Sequence, residues 1–159
     1  MGLLEKIVSG GQTGADRAAL DFAIENAIPH GGWCPKGRKC EQGVIPPQYQ
    51  LRETPSEEYI QRTEWNVRDS DGTVVFSIGA RLSGGSNDTI AMAGEHRKPT
   101  LHISREAGSP APERELARFI EAHHIKVLNV AGPRSSEEPE LYDYVKSVLG
   151  RIPLENDLL

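Results

Sequence analysis

The sequence predicts an α/β fold: one domain with a doubly wound, mostly parallel sheet and helices on both faces. Three observations predict it. Strand-like and helix-like segments alternate along the whole chain, with no internal repeat or low-complexity tract. The run TVVFSI, Thr73 to Ile78, is apolar on both faces, as a central parallel strand covered on both sides must be. A chain of 159 residues is long enough for one buried core and needs no second domain.

Each element has its own justification. Ile7 to Arg17, IVSGGQTGADR, is a short apolar run that breaks into three closely spaced glycines and then a helical pattern. It reads as a strand over about Glu5 to Ser9, a tight loop, and a helix with Ala15, Ala18, Ala19, Phe22 and Ala23 along one side. Such small residues let a helix lie close to a sheet. Gly31 to Thr54 is rich in Gly and Pro, which predicts a short strand near Gly31 to Trp33 and then a long ordered loop. Ser56 can cap a helix to about Arg68, and Asp71-Gly72 turns the chain into the central strand. A glycine loop at Ser83 to Ser86 leads to a helix over about Asn87 to His96, and Pro99 precedes a strand at Thr100 to Ile103. The next helix, about Pro112 to His124, places Leu116, Phe119, Ile120 and His123 on one face ahead of a strand at Ile125 to Val130. The last helix is expected from Ser135 or Ser136, with Ser135 and Glu138 as a capping box and Leu141, Val145, Val148 and Leu149 as its buried stripe. The domain is thus expected over 1–150. The tail 151–159 has no periodicity and is expected to dock on the domain or on a neighbouring subunit.

Composition excludes several classes. A hydrophobic fraction of 37%, a charged fraction of 26% and a net charge of -5 lack the basic excess of a nucleic-acid binder. No apolar run approaches the ~18 residues of a membrane span, and Met1 to Lys6 does not resemble a signal peptide, so a cytoplasmic protein without membrane contact is expected. Cys34 and Cys40 have the spacing of neither a zinc site nor a disulfide framework, and are expected as free thiols. The five histidines form no ligand spacing, so no metal ligand is assigned.

In open parallel sheets ligands bind beyond the carboxyl ends of the strands. Three polar, glycine-rich loops fall on that edge: Ser9 to Asp16, Ser83 to Thr89 and Asn129 to Ser136. Backbone N–H groups at such a loop converge on an anion, and the macrodipole of the following helix favours negative charge, so a phosphorylated small molecule is the expected ligand. In the first loop Gly10, Gly11 and Gly14 permit close approach while Gln12 and Thr13 add side-chain donors. Thr13 with Asp16 could equally be a capping box, and the Asp16 charge repels a phosphate unless it points away, to Arg17 or to a ligand hydroxyl or amine. Gly84, Gly85, Ser86 and Thr89 repeat this chemistry in the second loop, and Gly132, Arg134 and Ser135 in the third. Arg134 suits bidentate pairing with an oxyanion, with a surface salt bridge as its alternative. Lys36, Arg38 and Lys39 are a local cationic cluster near the same edge. Lys36 and Arg38 are second-rank ligand contacts, a solvated face being the alternative. No dinucleotide fingerprint and no Walker A lysine is present, so neither NAD nor ATP is expected. No catalytic nucleophile, elbow or paired-carboxylate motif appears, and a binding protein is favoured over an enzyme.

Together IVSGGQTGADRAALDFA, GGWCPKGRK, QRTEWNVRDSDGTVVFS and NVAGPRSS resemble the molybdenum cofactor carrier family, a branch of the Rossmann-like superfamily that includes the LOG and lysine-decarboxylase-like proteins. The resemblance implies a Rossmann-like fold, a homo-oligomer (dimer or tetramer), and binding of molybdenum cofactor (molybdopterin), a pterin with a terminal phosphate, without a known reaction. It implies binding positions at Gly10 to Asp16, Ser83 to Ser86 with Thr89, and Gly132 to Ser135, and draws attention to Thr63, Glu64 and Asn66. Two alternatives remain: a nucleoside-monophosphate phosphoribohydrolase of the LOG type, or a sensor of a nucleotide-like ligand. The LOG glycine loop, PGGxGTxxE, supplies a catalytic Glu, whereas SGGSNDTIAM has Met92 where that Glu is sought.

Overall fold

In the computed structural model, which describes residues 4–108 and 110–153, the chain runs β1 (Lys6–Val8), α1 (Ala15–Glu25), β2 (His30–Gly31), β3 (Trp33–Cys34), β4 (Lys39–Cys40), β5 (Gly43–Val44), β6 (Arg52–Glu53), α2 (Tyr59–Arg68), β7 (Gly72–Ser77), α3 (Gly84–Glu95), β8 (Thr100–Ser104), α4 (Pro112–Ala122), β9 (Val127–Ala131) and α5 (Leu141–Arg151). Five strands form a parallel sheet in the order β2-β1-β9-β7-β8. The last strand in sequence therefore lies at the centre. Counted with β9 first, the order becomes 3-2-1-4-5, the arrangement of the dinucleotide-binding half-sheet.

Period-two alternation sorts the strand side chains between two unlike faces. Val74, Phe76, Leu128 and Val130 join Ile7 and Ile103 in the main core, which α1, α4 and α5 cover. The alanines of α1 are fully buried and let it pack closely on α5, while Leu141, Val145, Val148 and Leu149 of α5 all have 0% exposure. Burying each such Val or Leu contributes about 1.5–3 kcal/mol. The opposite face, under α2 and α3, carries buried Thr73, Ser77 and Asn129, with Asn129 Nδ2 donating to Thr73 Oγ1. All six residues of β7 are buried, as its apolar run requires.

The segment between β2 and α2 is ordered by its own small cluster, in which Cys34, Cys40, Ile45 and Tyr49 pack on Leu20 of α1. Both cysteines are free. β3 pairs with β6, and β4 with β5 in a short hairpin. Arg38, expected near a ligand, is instead a brace for this segment: its guanidinium donates to the carbonyls of Ile45, Pro46 and Tyr49. Among the described residues no helix is long and apolar enough to cross a membrane.

Several boundaries differ from expectation. α2 starts at Tyr59, because Ser56 Oγ accepts from Glu58 N in a separate turn. α3 starts at Gly84, so the expected glycine loop supplies the first helical turn. The Ser135–Glu138 capping box does not form. A residue before proline avoids helical angles, and Pro139 separates the turn at Arg134–Glu138 from α5. His123 is exposed at the end of α4, its ring beside Phe119, and does not join the buried stripe. β9 begins two residues late because the N–H groups of Lys126 and Val127 go to the Asp71 carboxylate. In the tail, Arg151 completes α5 and Ile152 is buried in the main core, and 154–159 lie outside the described residues.

Candidate functional site

The carboxyl ends of β1, β7 and β9 open into a cleft of about 270 Å³, small-molecule sized. The first loop supplies Gln12 and Asp16, the second Ser83, Gly85, Ser86, Asp88 and Thr89, and the third Gly132, Pro133, Arg134 and Glu137. A fourth wall comes from α2, where Tyr59, Arg62 and Thr63 share one face at i, i+3, i+4 spacing. Beneath the cleft a smaller recess is lined by Gly10, Asn66 and Asn129, with Asp16, Arg62, Thr63 and Thr89 shared between the two.

The first loop is closed on itself. The N–H groups of Gly11, Gln12 and Thr13 donate to Ser9 Oγ (3.4 Å), Asp16 Oδ2 (3.2 Å) and Gln12 Oε1 (3.1 Å). Gly14, not Thr13, is the N-cap of α1, and the expected Thr13–Asp16 capping box does not form: the Thr13 N–H goes to Gln12 Oε1, and the Asp16 carboxylate takes the Gln12 N–H instead. Gly14 has φ +85°, and a Cβ there would lie 2.6 Å from Pro133 O, so the first and third loops touch backbone to backbone. Thr13 Oγ1 accepts from Ser135 N at 3.0 Å and donates to the Glu41 carboxylate. Glu41, at the tip of the β4–β5 hairpin, also accepts from Ser136 N (3.3 Å) and donates its own N–H to Gln12 Oε1 (2.9 Å). The hairpin tip thus clasps the first and third loops together. Hydrogen bonds from Thr13 and Ser136, with Arg134 nearby, hold the Glu41 carboxyl below its usual range against a desolvation that pushes it up.

Asp16 is 3% exposed and, among the described residues, makes no salt bridge; its Oδ2 accepts from the Gln12 N–H. Burial raises its carboxyl to about 6, although Arg62, the Gln12 N–H, Arg17 and the Gly10 N–H all favour the charged form. Facing the same recess, the Arg62 guanidinium lies across Gly10, where a Cβ would be 2.7 Å from Nε. Arg62 donates through Nη1 to Thr63 Oγ1 at 2.8 Å, while its Nε is buried without an acceptor. Arg134 pairs with Glu137 at 3.1 Å on the rim, and the Tyr59 ring has two guanidinium groups near it, Arg62 at 5.3 Å and Arg134 at 5.9 Å from its centroid.

The remaining candidates divide. Gly84 and Gly85 open α3 with no atom near where a side chain would go, and Thr89 Oγ1 donates to Gly85 O. Lys36 is exposed and does not line the cleft. Thr63 lines the cleft, Asn66 fixes both backbone groups of Trp33, and Glu64 meets His96, the C-cap residue of α3. Sequence reasoning left Tyr59, Arg62 and Glu41 unmarked. The helical spacing of Tyr59, Arg62, Thr63 and Asn66 was a usable signal, whereas nothing local places Glu41 beside Thr13. Among the described residues no group of three or more His, Cys, Asp or Glu side chains could hold a metal ion.

A sheet whose last strand takes the first strand's place is what a permuted chain produces, and the circularly permutated YpsA SLOG family model matches residues 7–153. The chain belongs to this family. Its SLOG fold is shared with the crystal structure of "Putative molybdenum carrier protein" from Syntrophus aciditrophicus SB, to which it is 50% identical over 92% of this chain and 93% of that one, with a TM-score of 0.86. No curated protein matches. The resemblance read from the sequence motifs agrees with both findings, and the doubly wound α/β fold is the one expected.

Proposed function

We propose that this SLOG-family protein binds molybdenum cofactor, a phosphorylated pterin, in the three-loop cleft and stores or carries it without transforming it. The observation that supports this most directly is the convergence of all three glycine loops on one cleft with two guanidinium groups. The similarity to a protein named as a molybdenum carrier supplies the ligand class. Donor availability favours seating the phosphate against the Gly84 and Gly85 N–H groups at the start of α3, the Ser86 N–H being taken by Ser83 O, with Arg134 lining the same cleft. The first loop has already spent its N–H groups on Ser9, Gln12 and Asp16. Hydrolysis of the LOG type lacks its carboxylate, since Met92 stands at that position and is not a lining residue.

The test is anaerobic incubation of purified protein with molybdenum cofactor, gel filtration, and quantification of co-eluting pterin and molybdenum. Saturable pterin in equal amount to protein chains supports the reading. No retention overturns it, and release of free base from a panel of nucleoside monophosphates overturns it in favour of the hydrolase.

A further inference from the structure

Along the same recess lie a buried carboxylate that makes no salt bridge among the described residues, its desolvation only partly offset by Arg62 and Arg17, and a buried guanidinium N–H without an acceptor, and each is costly to bury. Buried charges are ordinarily paired, and uncompensated ones cluster at functional sites. The recess, about 10 Å³, has room for little more than a water, but Asp16 and Arg62 also line the 270 Å³ cleft, and it is there that they would meet a ligand. The packing is specific: Gly10 leaves room for Arg62 to cross the first loop, and Thr63 holds its Nη1. The pair presents an acceptor, the carboxylate, and an unfilled donor, Nε–H.

We propose that Asp16 and Arg62 together read a 2-amino-4-oxo pyrimidine edge, the C=O, N–H and NH2 row shared by pterins and guanine. Arg62 donates to the ring carbonyl, and the Asp16 carboxylate accepts from the ring N–H and the exocyclic amine. This rests on, and deepens, the pterin reading, because it assigns the end of the ligand opposite the phosphate. Only a side chain that accepts at both positions fits that edge. The 2,4-dioxo analogue offers a carbonyl where the amine was and sets it against the carboxylate.

The experiment measures binding of two matched pairs by equilibrium dialysis: 6-hydroxymethylpterin phosphate against its 2,4-dioxo (lumazine) counterpart, and guanosine against xanthosine monophosphate. Wild type is expected to prefer the 2-amino-4-oxo member by roughly tenfold or more. Asp16→Asn keeps an acceptor for the ring N–H and gains a donor for the second carbonyl, so its preference reverses. Arg62→Gln weakens both members of a pair. Thermal melts confirm that the variants are folded. Equal affinity within each pair in wild type, or an Asp16→Asn variant with unchanged preference, overturns the inference while leaving cofactor binding intact. A preference and reversal seen only with the nucleotides would uphold the edge recognition and overturn the pterin reading. Binding of neither pair overturns both.

Discussion

Replacing Asp16 with Asn should make the free protein more stable at neutral pH. Burial lifts this carboxyl from 3.8 to about 6. Between those values the folded chain holds a proton that the unfolded chain has released, so stability falls as pH rises through this window and stays lowered above it. A displacement of roughly two pH units, at about 1.4 kcal/mol each, amounts to about 3 kcal/mol at neutral pH. The side chain is 3% exposed, so solvent screening does little to reduce that figure. Asn carries no charge in either state and retains a carbonyl for the Gln12 N–H. Urea unfolding of both proteins at a series of pH values gives the difference directly. The variant should be more stable by up to about 3 kcal/mol near pH 7, with the gap closing towards pH 4. A variant that is less stable at neutral pH, or a gap that does not change with pH, would refute the account of Asp16 as a charge whose desolvation outweighs its partners.

Three further outcomes are expected. Arg134→Ala should weaken cofactor retention by about 1.5 kcal/mol, roughly tenfold, through loss of a charged donor, with little change in melting temperature because its rim ion pair with Glu137 is exposed. Gly14→Ala forces a left-handed residue and a 2.6 Å approach to Pro133 O, and should lower stability by about 1–3 kcal/mol in chemical unfolding while abolishing retention. Glu138→Ala leaves the N–H groups of Ile78 and Gly79 without their carboxylate, each now bonded at 2.9 Å, and should destabilise by about 1–2 kcal/mol in the same assay; hydrogen exchange should quicken at those two amides.

The candidate site was partly legible because its glycine loops are local. A strand that ends in Ser9-Gly10-Gly11 and restarts as an alanine-lined helix announces its geometry within a few residues, and the parallel sheet then brings such loops to one edge. The guanidinium in the recess was not announced. Arg62 sits in an ordinary polar helix, and its position over Gly10 depends on how α2 docks against the sheet. Glu138 illustrates the same limit: its carboxylate looks like a local cap, yet it reaches the end of β7, sixty positions away in sequence from Ile78.

What the sequence by itself determined is the set of elements and the buried stripes, since the periods of strand and helix are written in consecutive side chains: the all-buried β7, the alanine face of α1 and the stripe of α5 follow from spacing alone. The tertiary structure decided the strand order, with β9 between β1 and β7, and with it which loops share a cleft. It also decided that Asp16 would satisfy the first loop's backbone instead of leaving it for an anion. Those outcomes depend on contacts between residues distant in the chain, and on the desolvation they impose, which no local pattern encodes.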